Sequence, residues 1–143
     1  MESRTQDLDP DWQRLVGTWA IDASHPLLPD DQIQGQMTFE WLDGQRLLIQ
    51  RSHYDHPEIP DAIAIFGVID DQLSMHYFDS RGVHRIFTVS FIEGTLRYAR
   101  NAPGFSQRFT LTVSDNMITG QGELSRDGTN WQDDLAITYR RVG

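Results

Sequence analysis

Short stretches in which apolar and polar residues alternate follow one another along the chain, separated by glycine-containing turns at intervals of about ten residues. Alternation with a period of two directs successive side chains to opposite faces of a strand, so each stretch predicts a β-strand with one buried face. A long series of such strands is typical of antiparallel barrels. We therefore predict an all-β protein, an antiparallel up-and-down β-barrel of about ten strands with a short N-terminal helix.

The length of 143 residues is that of one domain. We expect residues 1–143 to form a single barrel domain with a core that needs no metal or disulfide. The only helical pattern lies near the N-terminus, where Asp9 suits an N-cap, Pro10 suits the first helical position, and Trp12 and Leu15 follow at helical spacing. Residues 1–14 are predicted to form this helical segment or lid, and residues 15–141 the barrel.

The formal net charge of -9 limits the classes of partner. Nucleic acids and anionic membrane surfaces both require a basic face, so we expect neither as a partner. No apolar run approaches the roughly 20 residues that span a bilayer. The first residues, Met1-Glu2-Ser3-Arg4-Thr5-Gln6-Asp7, combine no basic stretch with an apolar one, so we expect no secretory signal and a cytoplasmic protein.

Two residue types are missing from the chain, and each absence excludes a kind of chemistry. There is no cysteine, which removes disulfides, thiolate nucleophiles and zinc-thiolate sites. There is also no lysine, because all 12 basic residues are arginine, which removes Schiff-base catalysis and a phosphate-binding P-loop. Arginine is always charged and its planar head suits two-point contacts with anions.

The turn Asp79-Ser80-Arg81-Gly82 fixes the register of one hairpin. Aspartate first and glycine fourth is the pattern of a type I turn followed by a glycine bulge. This turn pairs Asp79 with Val83 and Tyr77 with Arg85. The side chains that it places on the inward face are Leu73, Met75, Tyr77, Val83, Arg85, Phe87, Val89 and Phe91.

A second hairpin, around Leu42-Asp43-Gly44, allows two registers. A two-residue turn at Asp43-Gly44 would pair Trp41 with Arg46. A three-residue loop would shift the pairing by one residue and gather the apolar side chains of both strands on one face, so we expect this second arrangement. Its inward face comprises Met37, Phe39, Trp41, Leu47, Ile49 and, by continued alternation, Arg51 and His53. Before this hairpin, residues 24–31 are rich in Pro and Asp and are expected to form a loop.

Four motifs resemble a known family. They are Gly17-Thr18-Trp19, Tyr77-Phe78-Asp79-Ser80-Arg81-Gly82-Val83, Ala102-Pro103-Gly104-Phe105-Ser106-Gln107-Arg108-Phe109, and Ser125-Arg126-Asp127-Gly128 leading to Trp131. The first is similar to the lipocalin signature, and the others in order resemble an uncharacterised bacterial lipocalin-like family of the calycin superfamily. The resemblance covers most of the chain from about Val16 onward.

The resemblance implies a ten-stranded barrel and no established activity. In lipocalins an arginine of the last strand covers the signature tryptophan, which implies that Arg141 or Arg140 covers Trp19. Haem-binding relatives of this barrel use a late histidine as the axial ligand. This chain has no histidine after His84, so we predict no cofactor.

Polar residues on the predicted inward faces are the candidate site. Those assigned to ligand binding are Arg51, His53, Tyr77, Arg85, Tyr98, Arg100 and Tyr139. Because an interior arginine is costly unless it is paired, we expect Arg51 and Arg85, with Tyr77, to hold the acidic or carbonyl group of a small, largely apolar organic ligand. The alternative is that the arginines pair with Asp79 or Asp133 and seal the barrel ends.

Two further functions remain open at this stage. One is a cofactor-free cyclase or isomerase that uses His53 with Tyr77 and Arg85. The other is an interaction protein with a filled barrel, whose outer strands form a homodimer. The volume left inside the barrel distinguishes the ligand-binding protein from the homodimeric interaction protein, because a filled interior favours the interaction protein. His53 and His56 lack a third ligand nearby, so we predict no metal site.

Overall fold

The structure is a computed structural model that describes residues 4–42 and 44–143. It contains eleven strands and one 3₁₀ helix, Pro10–Leu15. The strands are β1 (Thr5–Gln6), β2 (Gly17–His25), β3 (Leu28–Trp41), β4 (Leu47–Tyr54), β5 (Ala62–Ile69), β6 (Gln72–Asp79), β7 (His84–Ile92), β8 (Thr95–Arg100), β9 (Ser106–Val113), β10 (Met117–Ser125) and β11 (Gln132–Arg141).

Strands β2 to β11 form a closed antiparallel barrel. Each pairs with its sequence neighbours, and β2 also pairs with β11, where Ala20 lies opposite Arg140. The predicted up-and-down barrel is therefore confirmed, with ten strands in its wall. The short strand β1 lies outside the wall and pairs with the end of β5, an element that the sequence pattern did not predict.

The β6–β7 hairpin has the predicted register. Tyr77 lies opposite Arg85, the Asp79 amide donates to the Val83 carbonyl at 3.1 Å, and Gly82 has a φ of 86° that favours glycine. The inward set is confirmed as well, because its apolar members are buried or half-buried. This hairpin therefore brings a phenol and a guanidinium together on the inner wall.

The β3–β4 hairpin differs from both predicted registers. Trp41 lies opposite Leu48, and Leu42 N donates to Leu47 O at 2.9 Å, so the connection is longer than either turn considered. Asp43, which belongs to the predicted turn, lies outside the described residues. The shift turns every side chain of β4 to the other face. The inward residues of β4 are Leu48, Gln50, Ser52 and Tyr54.

The predicted inward orientation of Arg51 and His53 is therefore wrong. Both side chains lie on the outer face of β4, with 50% and 62% of their surfaces exposed. Ile49, also predicted inward, lies on this outer face as well. It is nevertheless buried, and it lies opposite Glu40, the ion-pair partner of Arg51, and opposite Ile65.

The predicted loop over residues 24–31 is largely strand. β2 extends to His25 and β3 begins at Leu28, which leaves only Pro26 and Leu27 as the connection. Ala23 lies opposite Ile33 but His25 lies opposite Leu28, so the register shifts by three residues and a bulge in β3 absorbs the irregularity. Pro and Asp are tolerated here because this end of the hairpin is exposed to solvent.

One end of the barrel is closed by the 3₁₀ helix. Asp9 caps this helix by accepting a hydrogen bond from the Asp11 amide at 2.9 Å, as the sequence predicted for the Asp9-Pro10 pair. Trp12 and Leu15 are buried on the barrel core. The helix fills this end of the barrel, and the space inside the barrel lies toward the opposite end.

Trp19 is fully buried in the floor, and its indole Nε1 donates to the Leu15 carbonyl at 2.9 Å. The Arg141 guanidinium lies over the ring, 4.2 Å from its centroid, so of the two expected arginines Arg141 covers the tryptophan. Gly17 makes room for it, since a Cβ there would lie 2.5 Å from Arg141 Nη1 and the φ of 141° favours glycine.

Within residues 4–42 and 44–143, the structure contains no helix with the length and apolar character needed to cross a membrane.

Candidate ligand cavity

The barrel encloses a cavity of about 140 Å³ between the core and the end opposite the floor. The cavity wall is formed by inward side chains of β4 to β9 and β11, and by Ile59 and Pro60 of the β4–β5 loop. The lining residues are Gln50, Ser52, Tyr54, Ile59, Pro60, Ala62, Ala64, Met75, Tyr77, Arg85, Phe87, Tyr98, Gln107, Phe109, Leu135, Ile137 and Tyr139.

All 4 tyrosines of the chain line this one cavity. Burial raises the pKa of each phenol, to about 12 for Tyr54 and further for Tyr77, Tyr98 and Tyr139. The phenols are therefore neutral at physiological pH and contribute no negative charge. They can both donate and accept hydrogen bonds inside the cavity.

Tyr77 is the phenol with a defined hydrogen bond, which it donates to Asp79 Oδ2 at 2.9 Å. The hydroxyls of Tyr54 and Tyr139 lie close enough to affect each other's pKa, and Gln50 affects that of Tyr139. For the hydroxyl of Tyr98, no hydrogen bond is found among the described residues. A buried phenol of this kind normally has a partner, which makes the Tyr98 hydroxyl an open position in the cavity wall.

Arg85 is the only charged side chain that lines the cavity, as far as the described residues go. Its Nη1 donates to Gln107 Oε1 at 3.2 Å, and its Cζ lies 5.2 Å from the centroid of the Phe105 ring. No carboxylate of the described residues lies within ion-pairing distance of this guanidinium. Burial lowers the pKa of Arg85, but arginine titrates so far above neutrality that the group stays charged.

Asp79, the expected partner of the cavity arginine, is bound elsewhere. Its carboxylate is fully buried and accepts hydrogen bonds from Arg81 Nη2 at 2.6 Å, from the Tyr77 hydroxyl and from backbone amides. Burial alone would raise the pKa of Asp79, but these donors outweigh it and lower the pKa to about 2. Asp133, the other expected partner, is exposed.

This arrangement predicts a pH-dependent effect of Asp79→Asn. The folded-state pKa of about 2 lies below the ordinary value of about 4, so the carboxylate stabilises the fold above pH 4 and loses that contribution as pH falls toward 2. We expect the variant to be less stable than wild type at pH 6 and the gap to narrow at pH 3, measured by urea unfolding. Asp115→Asn, at a side chain that is 90% exposed, should show no such trend.

The β4–β5 loop covers part of the mouth. His56 holds it in two ways, because its Nε2 lies 2.9 Å from Asp31 Oδ2 and its Nδ1 accepts from the Glu58 amide at 3.1 Å. The loop also accepts a hydrogen bond at the Asp61 carbonyl from Ser80. Ile59 is thereby packed against the core, so access to the cavity depends on this loop.

The predicted site residues fall into two groups. Tyr77, Arg85, Tyr98 and Tyr139 line the cavity together. The other three do not line it. Arg100 points inward near the mouth, where Nη1 donates to the Phe105 carbonyl at 2.9 Å, while Arg51 and His53 lie on the outer face.

The outward position of His53 separates it from Tyr77 and Arg85. Its ring contacts Asp61 at 2.7 Å and Asp55 at 3.1 Å, and the hydrogen bond with Asp61 raises its pKa. The constellation considered for a cyclase or isomerase is therefore not assembled. Within the described part of the chain there is also no cluster of three His, Asp or Glu side chains arranged to hold a metal.

The sequence pattern did not reveal the contribution of β4 to the cavity. Gln50, Ser52 and Tyr54 line it, and all three follow from Leu48 by alternation once the correct register is known. It also missed Ile59 and Pro60, which reach the cavity from a loop. Tyr54 follows His53 directly, so the outward position of His53 turns Tyr54 to the interior by alternation.

A wider groove of about 560 Å³ lies on the barrel exterior between β3 and β10. It is open to solvent, and its wall includes Asp22, Asp30 and Asp31. An open groove with three carboxylates would leave an organic ligand largely in contact with water, so the smaller interior cavity is the better candidate site.

The cavity does not suit haem. A volume of about 140 Å³ compares with the roughly 150 Å³ that accommodates benzene, and a tetrapyrrole is several times larger. None of the 5 histidines of the chain lines the wall.

Comparison with solved structures finds a chain of similar fold, described as "Crystal Structure of Rv2717c from M. tuberculosis". The TM-score is 0.68 at 14% sequence identity, and the match covers 96% of this chain and 100% of that chain. No protein-family model matches this sequence, and the curated proteins give no significant match. The comparisons thus show the fold, a closed ten-stranded antiparallel barrel like that of a bacterial protein.

Proposed function

We propose that this barrel binds a small, largely apolar organic molecule with one acidic group. The observation that carries the proposal is the environment of Arg85, a half-buried cation on a cavity wall of neutral phenols and apolar side chains. Desolvating a guanidinium without a counter-charge is costly, and Gln107 supplies only a neutral acceptor. A ligand carboxylate would supply the charge and a two-point acceptor.

The shape of the cavity supports the same function. An interior with vacant volume favours binding over a barrel filled by its own side chains. Most of the wall is apolar or aromatic, with polar groups at a few positions, as in other small-molecule sites. Ile59 and Pro60 of the β4–β5 loop would shield a bound ligand from water.

We also infer that the chain is a lipocalin-like member of the calycin superfamily. Three features support this assignment: the Gly17-Thr18-Trp19 motif at the start of the first barrel strand, the Arg141 guanidinium over Trp19, and the 3₁₀ helix that closes the floor. The likeness to the Rv2717c structure agrees with a barrel of this type.

Arg85→Gln is the variant that tests the proposed function. A panel of aromatic and aliphatic monocarboxylates, each with its primary amide, is titrated by isothermal calorimetry. We expect at least one acid to bind, its amide to bind far more weakly, and Arg85→Gln to weaken the acid about 10- to 100-fold, since a charge-assisted hydrogen bond contributes about 1.5–3 kcal/mol.

The matched control is Arg97→Gln, on the exposed outer face of β8. It removes the same charge from the protein and should leave the affinity unchanged. An equal loss of affinity in both variants would show that the overall charge of the protein, and not the position of Arg85, causes the weaker binding. The absence of binding by every acid, or full affinity in Arg85→Gln, would contradict the proposal.

A further inference from the structure

The size of the cavity limits the ligand to a single ring. Its volume of about 140 Å³ is close to that of an apolar protein cavity of about 150 Å³ that binds benzene. A ring can fill this space if its charged substituent lies at the mouth. A fused ring system or a long acyl chain has no room without a change in the wall.

The aromatic side chains of the cavity wall favour a flat, aromatic ligand. The ring of Tyr98 meets Phe87 edge-on at 5.5 Å and stacks on Phe109 at 4.9 Å, and the ring of Tyr77 meets Phe87 edge-on at 6.5 Å. Gly122 lies opposite Phe109, where a Cβ would overlap that ring, so a glycine allows the aromatic wall to form. Aromatic pairs prefer such edge-to-face and offset contacts, which a planar ligand can continue.

Two polar groups of the wall lack a full set of partners, and they lie at different depths. Arg85 bonds Gln107 near the mouth, where Gln107 is opposite Arg100. Tyr98 lies opposite Phe109, two residues farther along β8 and β9 toward the floor. Gln107, which Arg85 bonds, and Phe109, which lies opposite Tyr98, are thus two residues apart on β9, roughly 6–7 Å along the strand. This is about the length of a benzoate that carries a hydroxyl across the ring from its carboxylate.

We propose that the cavity takes a hydroxylated single-ring aromatic acid, of 4-hydroxybenzoate size, with its carboxylate on Arg85 and its ring hydroxyl on the Tyr98 hydroxyl. This inference rests on the proposed function and specifies its ligand class. The carboxylate supplies an ion-pair partner for Arg85, which no carboxylate of the described residues approaches to ion-pairing distance. The ring hydroxyl supplies a partner for the Tyr98 phenol, for which no hydrogen bond is found among the described residues.

Isothermal calorimetry with 4-hydroxybenzoate, benzoate and octanoate tests this assignment. In wild type, 4-hydroxybenzoate should bind about three- to tenfold more tightly than benzoate, the contribution of one neutral hydrogen bond. Tyr98→Phe should bring the affinity for 4-hydroxybenzoate down to that for benzoate and leave benzoate unchanged. Arg85→Gln should weaken both aromatic acids about 10- to 100-fold, while Arg97→Gln weakens neither.

The outcomes separate the inference from the function on which it rests. Arg85-dependent binding of octanoate without binding of either aromatic acid overturns the inference and leaves the proposed function standing. Equal affinity of 4-hydroxybenzoate and benzoate in wild type also overturns it, as does a preference that persists in Tyr98→Phe. No binding of any of the three acids overturns the inference, and if the wider acid panel is also negative the proposed function falls with it.

Discussion

Trp19→Ala is expected to lower the free energy of unfolding by about 3–5 kcal/mol, the range for removing a large aromatic side chain from a packed core. The side chain is fully buried in the floor. Its loss leaves a cavity next to Leu15, in the core cluster that also contains Trp12, and removes the surface on which Arg141 lies. Urea unfolding followed by circular dichroism measures the change, since the variant loses one of the tryptophan fluorophores.

Trp131→Ala is the matched control for this variant. Trp131 is half-buried on the barrel exterior, where the Arg108 guanidinium lies 3.8 Å from its ring centroid. Removing it should cost about 1 kcal/mol or less, because an exposed cation–π contact contributes about that amount. Equal costs for the two alanine variants would contradict a packed floor centred on Trp19.

Arg141→Met is expected to destabilise the protein by about 2–4 kcal/mol, because several half-buried groups lose their partner together. The guanidinium donates to the Val16 carbonyl at 2.8 Å, the Arg14 carbonyl at 2.6 Å and the Asp115 carbonyl at 2.8 Å. It thereby ties the end of the 3₁₀ helix to the last strand. Methionine keeps much of the apolar stem, so the loss reports mainly on the charged head.

Arg140→Met, at the neighbouring exposed position, controls for charge and should change stability by less than about 0.5 kcal/mol. A double-mutant cycle of Arg141→Met with Trp19→Phe then isolates the contact between the two side chains. Strict additivity would show that Arg141 stabilises the floor through the carbonyls alone.

How far the sequence predicts the fold depends on how strongly each turn is specified. The Asp79–Gly82 turn combines an aspartate that accepts backbone hydrogen bonds with a glycine at positive φ, and few other turns satisfy both. Its register was therefore predictable. The Trp19–Arg141 contact was implied by the family resemblance, because neither residue alone reveals a pairing between β2 and β11.

The β3–β4 register was not predictable from the hydrophobic pattern alone. Leu47, Leu48 and Ile49 are consecutive apolar residues, so β4 can place either of two apolar sets inward. Gathering the apolar side chains of both strands on one face predicts the set with Ile49 inward. In the structure Ile49 lies on the outer face and is nevertheless buried. A rule that equates apolar residues with inward ones therefore fails for this strand.

The residues of the candidate site were predictable on those strands whose register was predictable. Tyr77 and Arg85 follow from the β6–β7 turn, and both line the cavity. Arg51 and His53 were assigned to the interior by the register error, which also hid Tyr54. The open hydroxyl of Tyr98 is a different case, since whether a buried phenol has a partner depends on packing between strands that no local pattern encodes.

The circular order of the strands restricts how this protein can meet other chains. Each strand of the barrel wall has a hydrogen-bonded neighbour on both sides, and the sheet's one unpaired flank, within the described residues, belongs to the two-residue β1. Strand addition, the route by which many open sheets capture peptides or aggregate, therefore finds almost no template here. A macromolecular partner would have to bind through side chains, on the outer wall or at the mouth of the barrel.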